Sequence, residues 1–264
     1  MPNFQFNYPI MRSFIFISIL LLAPLASAQD AREIIRKAGD VIEPESMEMI
    51  STLKIISASG QERSRTISMA TKKFGEATKS MLRFTEPADV RGTTLLIYDY
   101  EDKDDDMWIY MPALRKTRRI VSSEKGKNFM GSEFTNADMS KPVLDDFNYK
   151  SLGEAVVDGK TCHKIESSCK TDALAAQYGF SKRISYIGKD DFFAYKLEYY
   201  DTNGELHRIN ILKDYRELGK GKYFAFYMEM QNVKNNRRSV MSVDKFQMGS
   251  AMPEAQFSPT MIEQ

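Results

Sequence analysis

From Met47 onward the chain is a succession of short segments in which apolar and polar residues alternate, each closed by a turn signal. The turns SASGQ, EPADVRG, EDKDDD, VDGK, GKDD, DTNGE and LGKGK are rich in Gly, Asp, Asn and Pro, the residues that supply hairpin geometry. Strands this closely spaced pair with their neighbours in sequence, which predicts an antiparallel sheet. The preceding segment DAREIIRKAGDVI has a different period. It puts Ile34, Ile35, Ala38, Val41 and Ile42 on one helical face, with Asp30 and Glu33 spaced as a capping box and Pro44 as a stop. One amphipathic helix ahead of many strands predicts an α+β chain, mainly antiparallel β, with the sheet curled against that helix.

Alternation assigns the faces. In KYFAFYMEM, Phe224, Phe226, Met228 and Met230 share one side. In DFFAYKLEYY, Phe193, Tyr195, Leu197 and Tyr199 lie opposite Lys196 and Glu198. Ile67 pairs with Met69, Leu82 with Phe84 and Trp108 with Tyr110, although in MWIYM both faces are apolar, the mark of a strand covered on both sides. An ordinary core explains any one of these faces. Met and Phe, 16 of each, add soft and aromatic surface that adapts to irregular apolar partners, so a wide interior lined in this way suits acyl chains.

Arg12, the apolar run SFIFISILLLAPL and the small residues Ala26-Ser27-Ala28 read as a secretory signal peptide over residues 1–28, cleaved after Ala28. The run is shorter than the roughly 20 residues of a membrane span. Residues 29–264 are then read as one exported domain, since no Pro/Gly/Ser-rich linker divides them. Without Arg12, the one charged residue before Asp30, the 37 basic side chains fall level with the 36 acidic ones, and a neutral chain does not imply a nucleic-acid partner. Cys162 and Cys169 lie seven residues apart, more than ~20 Å along an extended strand, so a disulfide requires an intervening turn.

Known chemistries leave little trace. Asp102, Asp104 and Asp106 alternate as in a calcium loop, but Met107 and Ala113 stand where its glycine and bidentate glutamate belong; a charged turn is the better reading, and no metal site is expected. Phosphate loops, dinucleotide fingerprints and nucleophile elbows are absent from the sequence. His163 and His207 fall in different strands and form no catalytic pair. The residues therefore point away from an enzyme and from a cofactor. In RKTRR, Lys116, Arg118 and Arg119 have two readings, a solvated strand rim that deters edge pairing or a contact for an acidic partner or lipid headgroups. GSEFTNADMSKP has the pattern of a lid, with one helical turn over Asn136 to Ser140 before Pro142.

The segments FTEPADVRGTTLL, MWIYMPALRKTRRI and NFMGSEFTNADM, with VDGKTCHKIE, KLEYYDTNGELHRI and FAFYMEMQNV further on, resemble the LolA-like outer-membrane lipoprotein-sorting family. The matched positions are Pro87, Arg91, Gly92, Trp108, Tyr110, Pro112, Arg119, Phe129, Gly131, Ser132, Glu133 and Phe134. The resemblance implies a strongly curved half-open β-barrel covered on its concave side by helices, in a monomeric periplasmic carrier of lipid or lipoprotein acyl chains. It further implies an inner-membrane transport complex of the RND class, an outer-membrane acceptor and only transient membrane contact. Phe129, Met130, Phe134 and Met139 become lid residues, and Arg65, Arg83 and Arg91 are candidates for the arginine that latches the lid. Glu133 stands where aspartate is commoner, and the cysteines lie outside the pattern. A second reading keeps the pocket but makes the protein a lipid-sensing regulatory subunit bound to a membrane or anti-sigma partner.

Overall fold

The computed structural model describes residue 2 and residues 23–42 and 45–263. Of the signal peptide proposed for residues 1–28, residues 1 and 3–22 lie outside them, as does Pro44. Helix α1 spans Ala23–Val41 and so begins ahead of the segment expected to be helical. With residues 23–29 attached, Asp30 stands inside the helix rather than capping it, and Glu33 pairs with Arg36 at 2.7 Å, one turn on.

Thirteen strands follow: β1 Ser46–Ile56, β2 Glu62–Phe74, β3 Ala77–Glu86, β4 Thr94–Tyr100, β5 Asp106–Met111, β6 Lys116–Arg119, β7 Phe147–Val157, β8 Lys160–Cys169, β9 Lys182–Gly188, β10 Ala194–Tyr200, β11 Leu206–Gly219, β12 Lys222–Asn232 and β13 Arg237–Met248. They form one antiparallel sheet in the order β6-β5-β4-β3-β2-β1-β13-β12-β11-β10-β9-β8-β7. All seven turn signals read from the sequence lie between consecutive strands. The order is two meanders joined at β1 and β13, and the sheet is not closed into a barrel. Its edges, β6 and β7, are consecutive in the chain. The connection between them, residues 120–146, therefore crosses the mouth of the open sheet; we call it the strap.

The strap carries helix α2, Ser122–Lys125, and three single 3-10 turns. One of these, Ala137–Met139, lies within the turn expected over Asn136 to Ser140. Helix α3, Asp172–Tyr178, follows β8 and is capped by the Thr171 side chain, which accepts from Leu174 N. Gly126 and Gly179 bring the ends of α2 and α3 into backbone contact: a Cβ on Gly126 would lie 2.6 Å from Ala176 O.

The main core lies between the concave face and the strap. Leu53, Ile67, Leu82, Phe84, Leu95, Ile97, Met107 and Met230 from the sheet enclose Phe129 and Phe134 of the strap. On the opposite face, Met252, Phe257 and Ile262 of the C-terminal tail cover Leu96, Trp108 and Tyr110. Burial of both faces of β4 and β5 is why MWIYM is apolar throughout. Cys162 and Cys169 lie on one strand, β8, and are free thiols.

Candidate functional site

Three features converge on the concave side: the buried underside of the strap, the polar groups that fasten it, and a cavity beside α1. Phe129 is fully buried and Phe134 nearly so. The Phe129 ring meets Phe84 with centroids 5.7 Å apart, and Met130 and Met139 pack at the margin. Ser132 Oγ donates to Phe129 O at 2.7 Å, closing the tight loop that presents both phenylalanines.

Polar groups fix this loop from the sheet. Arg208, 2% exposed on β11, places Nη1 2.7 Å from Asp138 Oδ2 and 3.1 Å from Glu133 O. Its guanidinium lies 4.8 Å from the Tyr199 ring. The Glu133 carboxylate, itself buried, accepts from Asn232 Nδ2 at 2.8 Å, and Arg237 Nε lies 3.0 Å away. Glu133 N donates to Ser239 Oγ at 2.9 Å. Of the three arginines considered as the latch, Arg65 donates to Met130 O, whereas Arg83 reaches Thr94 and Arg91 reaches Thr85 within their own hairpin. The buried fastening is Arg208, which the sequence reading missed. Its signal was present: in LHRINIL, Arg208 and Asn210 occupy alternate positions with Leu206 and Leu212, polar residues on an otherwise apolar face.

The acid run serves this assembly. Asp104 accepts from Gln177, Asp105 from Ser140 of the strap, and Asp106 pairs with Arg119. Burial raises the pKa of the Asp105 carboxyl above the ordinary carboxylate range. The basic run forms the edge strand β6, where Arg118 is bound to Glu124 at 2.6 Å and Lys116 is exposed. Arg115, at φ 46, ends the turn before it. Gly92, at φ 82, packs beneath Pro112, where a Cβ would come within 3.0 Å of the proline Cγ. Two positions of the family-like pattern thus touch.

A cavity of about 410 Å³ opens between α1, the end of the strap and strands β9 to β11. Its apolar wall includes Ile35, Ala38, Leu144, Ile187, Ala194, Leu197, Leu212 and Tyr215, and charged residues such as Arg36, Asp40, Glu76 and Glu101 form its rim. None of the twelve side chains expected to line a cavity lines this one. Ile67, Met69, Leu82, Phe84, Met228 and Met230 face the strap in the main core. Phe224 and Phe226 belong to a neighbouring cluster with Met47, Met49 and Val243. Trp108 and Tyr110 lie on the opposite face, beneath the tail. The shared face assigned to β10 is broken by a bulge between Ala194 and Lys196. Leu197 therefore turns toward the cavity, and Tyr195 packs against Cys162, Ile184 and Tyr186 outside. Phe193, just before the strand, stacks on Tyr215 at 4.2 Å.

A family model described as "-like: Uncharacterized protein" matches residues 76–264. The chain belongs to that family. No curated protein matches it. Among solved structures, a domain named for outer membrane lipoprotein sorting, from Vibrio parahaemolyticus, is 22% identical over 90% of this chain and 100% of its own, with a TM-score of 0.83. A DUF1329 family protein from Desulfovibrio piger is 24% identical over 89% of this chain and 99% of its own, at 0.82. A LolA superfamily protein from Nitrosomonas europaea is 19% identical over 86% and 97%, at 0.67. This member of the family therefore has the LolA fold, an open curved sheet with its concave side covered, as the sequence resemblance implied.

Proposed function

We propose that the protein is an exported, non-enzymatic carrier that shields the acyl chains of a lipoprotein or another envelope lipid from water. The observation behind this reading is the unclosed sheet whose concave side is filled by a strap rather than by further strands, beside an apolar cavity rimmed by charge. Each methylene transferred from water to such walls contributes about 0.8 kcal/mol, so one long chain supplies enough affinity for a carrier. Residues 29–264 act as one carrier domain in the periplasm once the leader is removed. No helix among the described residues is long and apolar enough to cross a membrane.

In this reading Ile67, Met69, Leu82, Phe84, Met228 and Met230 meet cargo when the strap lifts, and Phe129 and Phe134 stand in for cargo when it is down. Lys116, Arg118 and Arg119 on the exposed edge form a contact for the transport complex or for headgroups. An RND-type transporter at the inner membrane and an acceptor at the outer membrane are the proposed partners. Names given to proteins of the same fold support the direction of transfer.

The test is purification of the native protein from the periplasm, lipid extraction and mass spectrometry, repeated with Phe129→Asp/Phe134→Asp. Near-stoichiometric lipid on the native protein, lost from the double variant, is the expected result. A lipid-free protein that also fails to bind a fluorescent fatty acid would refute the carrier reading.

A further inference from the structure

Buried polar groups in folded proteins are almost always hydrogen-bonded, and each exception calls for a reason. Among the described residues, six of the nine exceptions gather on neighbouring strands, Ser167 Oγ on β8, Arg183 Nε and Ser185 Oγ on β9, and Asn210 Oδ1 with Arg208 Nε and Nη2 on β11; the other three are on Ser51, Thr117 and Glu133. Register makes them two adjacent rows. Ser167 pairs with Arg183, and Arg183 with Tyr199, which pairs with Arg208. Beside them Ser185 pairs with Leu197, and Leu197 with Asn210.

Arg183 and Ser185 line the cavity. Ser185 is fully buried and its hydroxyl is unpartnered. The other lining arginines are neutralised, Arg32 by Asp145 at 2.6 Å and Arg36 by Glu33 and Asp40. Among the described residues no carboxylate forms an ion pair with Arg183, whose guanidinium lies 6.0 Å from the Phe180 ring. A cation and a hydroxyl donor thus lie beside the apolar wall formed by Ile187, Leu197 and Leu212, in a chamber whose lining also carries charged residues such as Asp40, Glu76 and Glu101. The chamber, about 410 Å³, has room for an acyl chain beside this pair.

We infer that the Arg183–Ser185 pair is a headgroup subsite and that the cavity takes an amphiphile with an anionic head, a carboxylate or a phosphate monoester. This rests on the carrier reading and narrows it. The head accepts charge-assisted hydrogen bonds from Arg183 and a further bond from Ser185, about twice the strength of neutral bonds for the charged contact. The chain runs along Leu197, Leu212 and Ile187 toward α1.

The experiment is calorimetric titration of the leaderless protein at pH 7.5 with laurate, dodecanol, dodecyltrimethylammonium and acetate, repeated with Arg183→Met. Laurate should bind at least about tenfold tighter than dodecanol, a difference of ~1.4 kcal/mol, and the cationic amphiphile more weakly than either. Arg183→Met should erase the preference for laurate over dodecanol. Equal binding of laurate and dodecanol, or preference for the cation, would overturn the headgroup subsite while leaving the carrier reading in place. Acetate binding as tightly as laurate would make the pair a free-anion site and overturn the amphiphile. Failure of both twelve-carbon chains to bind would remove the carrier reading and this inference together. If Arg183→Met does not fold, the comparison of ligands on the unaltered protein still decides.

Discussion

Arg208 and Asp138, seventy positions apart, meet at 2.7 Å with the arginine 2% exposed, so the strap is joined to the centre of the sheet by a buried ion pair. The pair orients the strap but does not guarantee stability, because both charges were taken out of water to form it. Asp138 lies in the turn that follows Phe134, so the pair also governs how firmly the two phenylalanines are held in the core.

Removing one partner leaves the other charge buried and uncompensated. Arg208→Met and Asp138→Asn should each lower stability by about 3–5 kcal/mol, measured by urea unfolding. The double variant should be less destabilised than the sum of the two. Strict additivity in that cycle would show that the pair is not coupled.

Trp108 is the chain's one tryptophan, and it reports on the tail. Its ring lies 4.9 Å from Tyr98, edge to face, and Tyr98 Oη donates to Phe257 O at 2.5 Å. Phe257 is 1% exposed and packs on Phe74. Phe257→Ala should cost about 3–5 kcal/mol as a buried aromatic is truncated and should shift Trp108 emission to the red as water reaches its face. An emission maximum identical to that of the parent protein would mean that Trp108 is not sheltered by the tail.

His207 adjoins the fastening, with Nε2 3.4 Å from Asn232 Nδ2. Burial, and after it the positive charge of Arg208, holds its pKa below the ordinary histidine value. A group whose folded pKa is depressed contributes stability above its unfolded pKa of about 6.5 and loses it as pH falls through the folded value. The urea midpoint should therefore drop between pH 7.5 and 5.5, and drop less in His207→Gln. His163, whose pKa burial also lowers, titrates in both proteins, so the difference between them isolates His207. Parallel pH curves would exclude the linkage.

Alternation and turn chemistry are local properties, which is why strands and hairpins were legible in the sequence. Each of the seven turn signals lies between consecutive strands, and Leu82, Phe84, Met228 and Met230 share the concave face. The turns β2 to β3 and β12 to β13 carry weaker signals, FGE and VKNN, and were not singled out. A single bulge undid the reading of β10, because one inserted residue reverses every side chain beyond it.

By itself, the sequence determined the antiparallel hairpins, the amphipathic helix, the turn over Ala137–Met139 and the two-sided burial of MWIYM, all of which depend on residues within a few positions of each other. Tertiary structure decided which face of each strand became concave, that the tail rather than cargo covers Trp108 and Tyr110, that Arg208 rather than Arg83 or Arg91 fastens the strap, and that Arg183 faces the chamber without a carboxylate. These outcomes depend on closure of β1 against β13 and on where a 27-residue crossing between two distant edges comes to rest. Pairing across such separations is set by the summed packing of the whole sheet, and no local pattern encodes it.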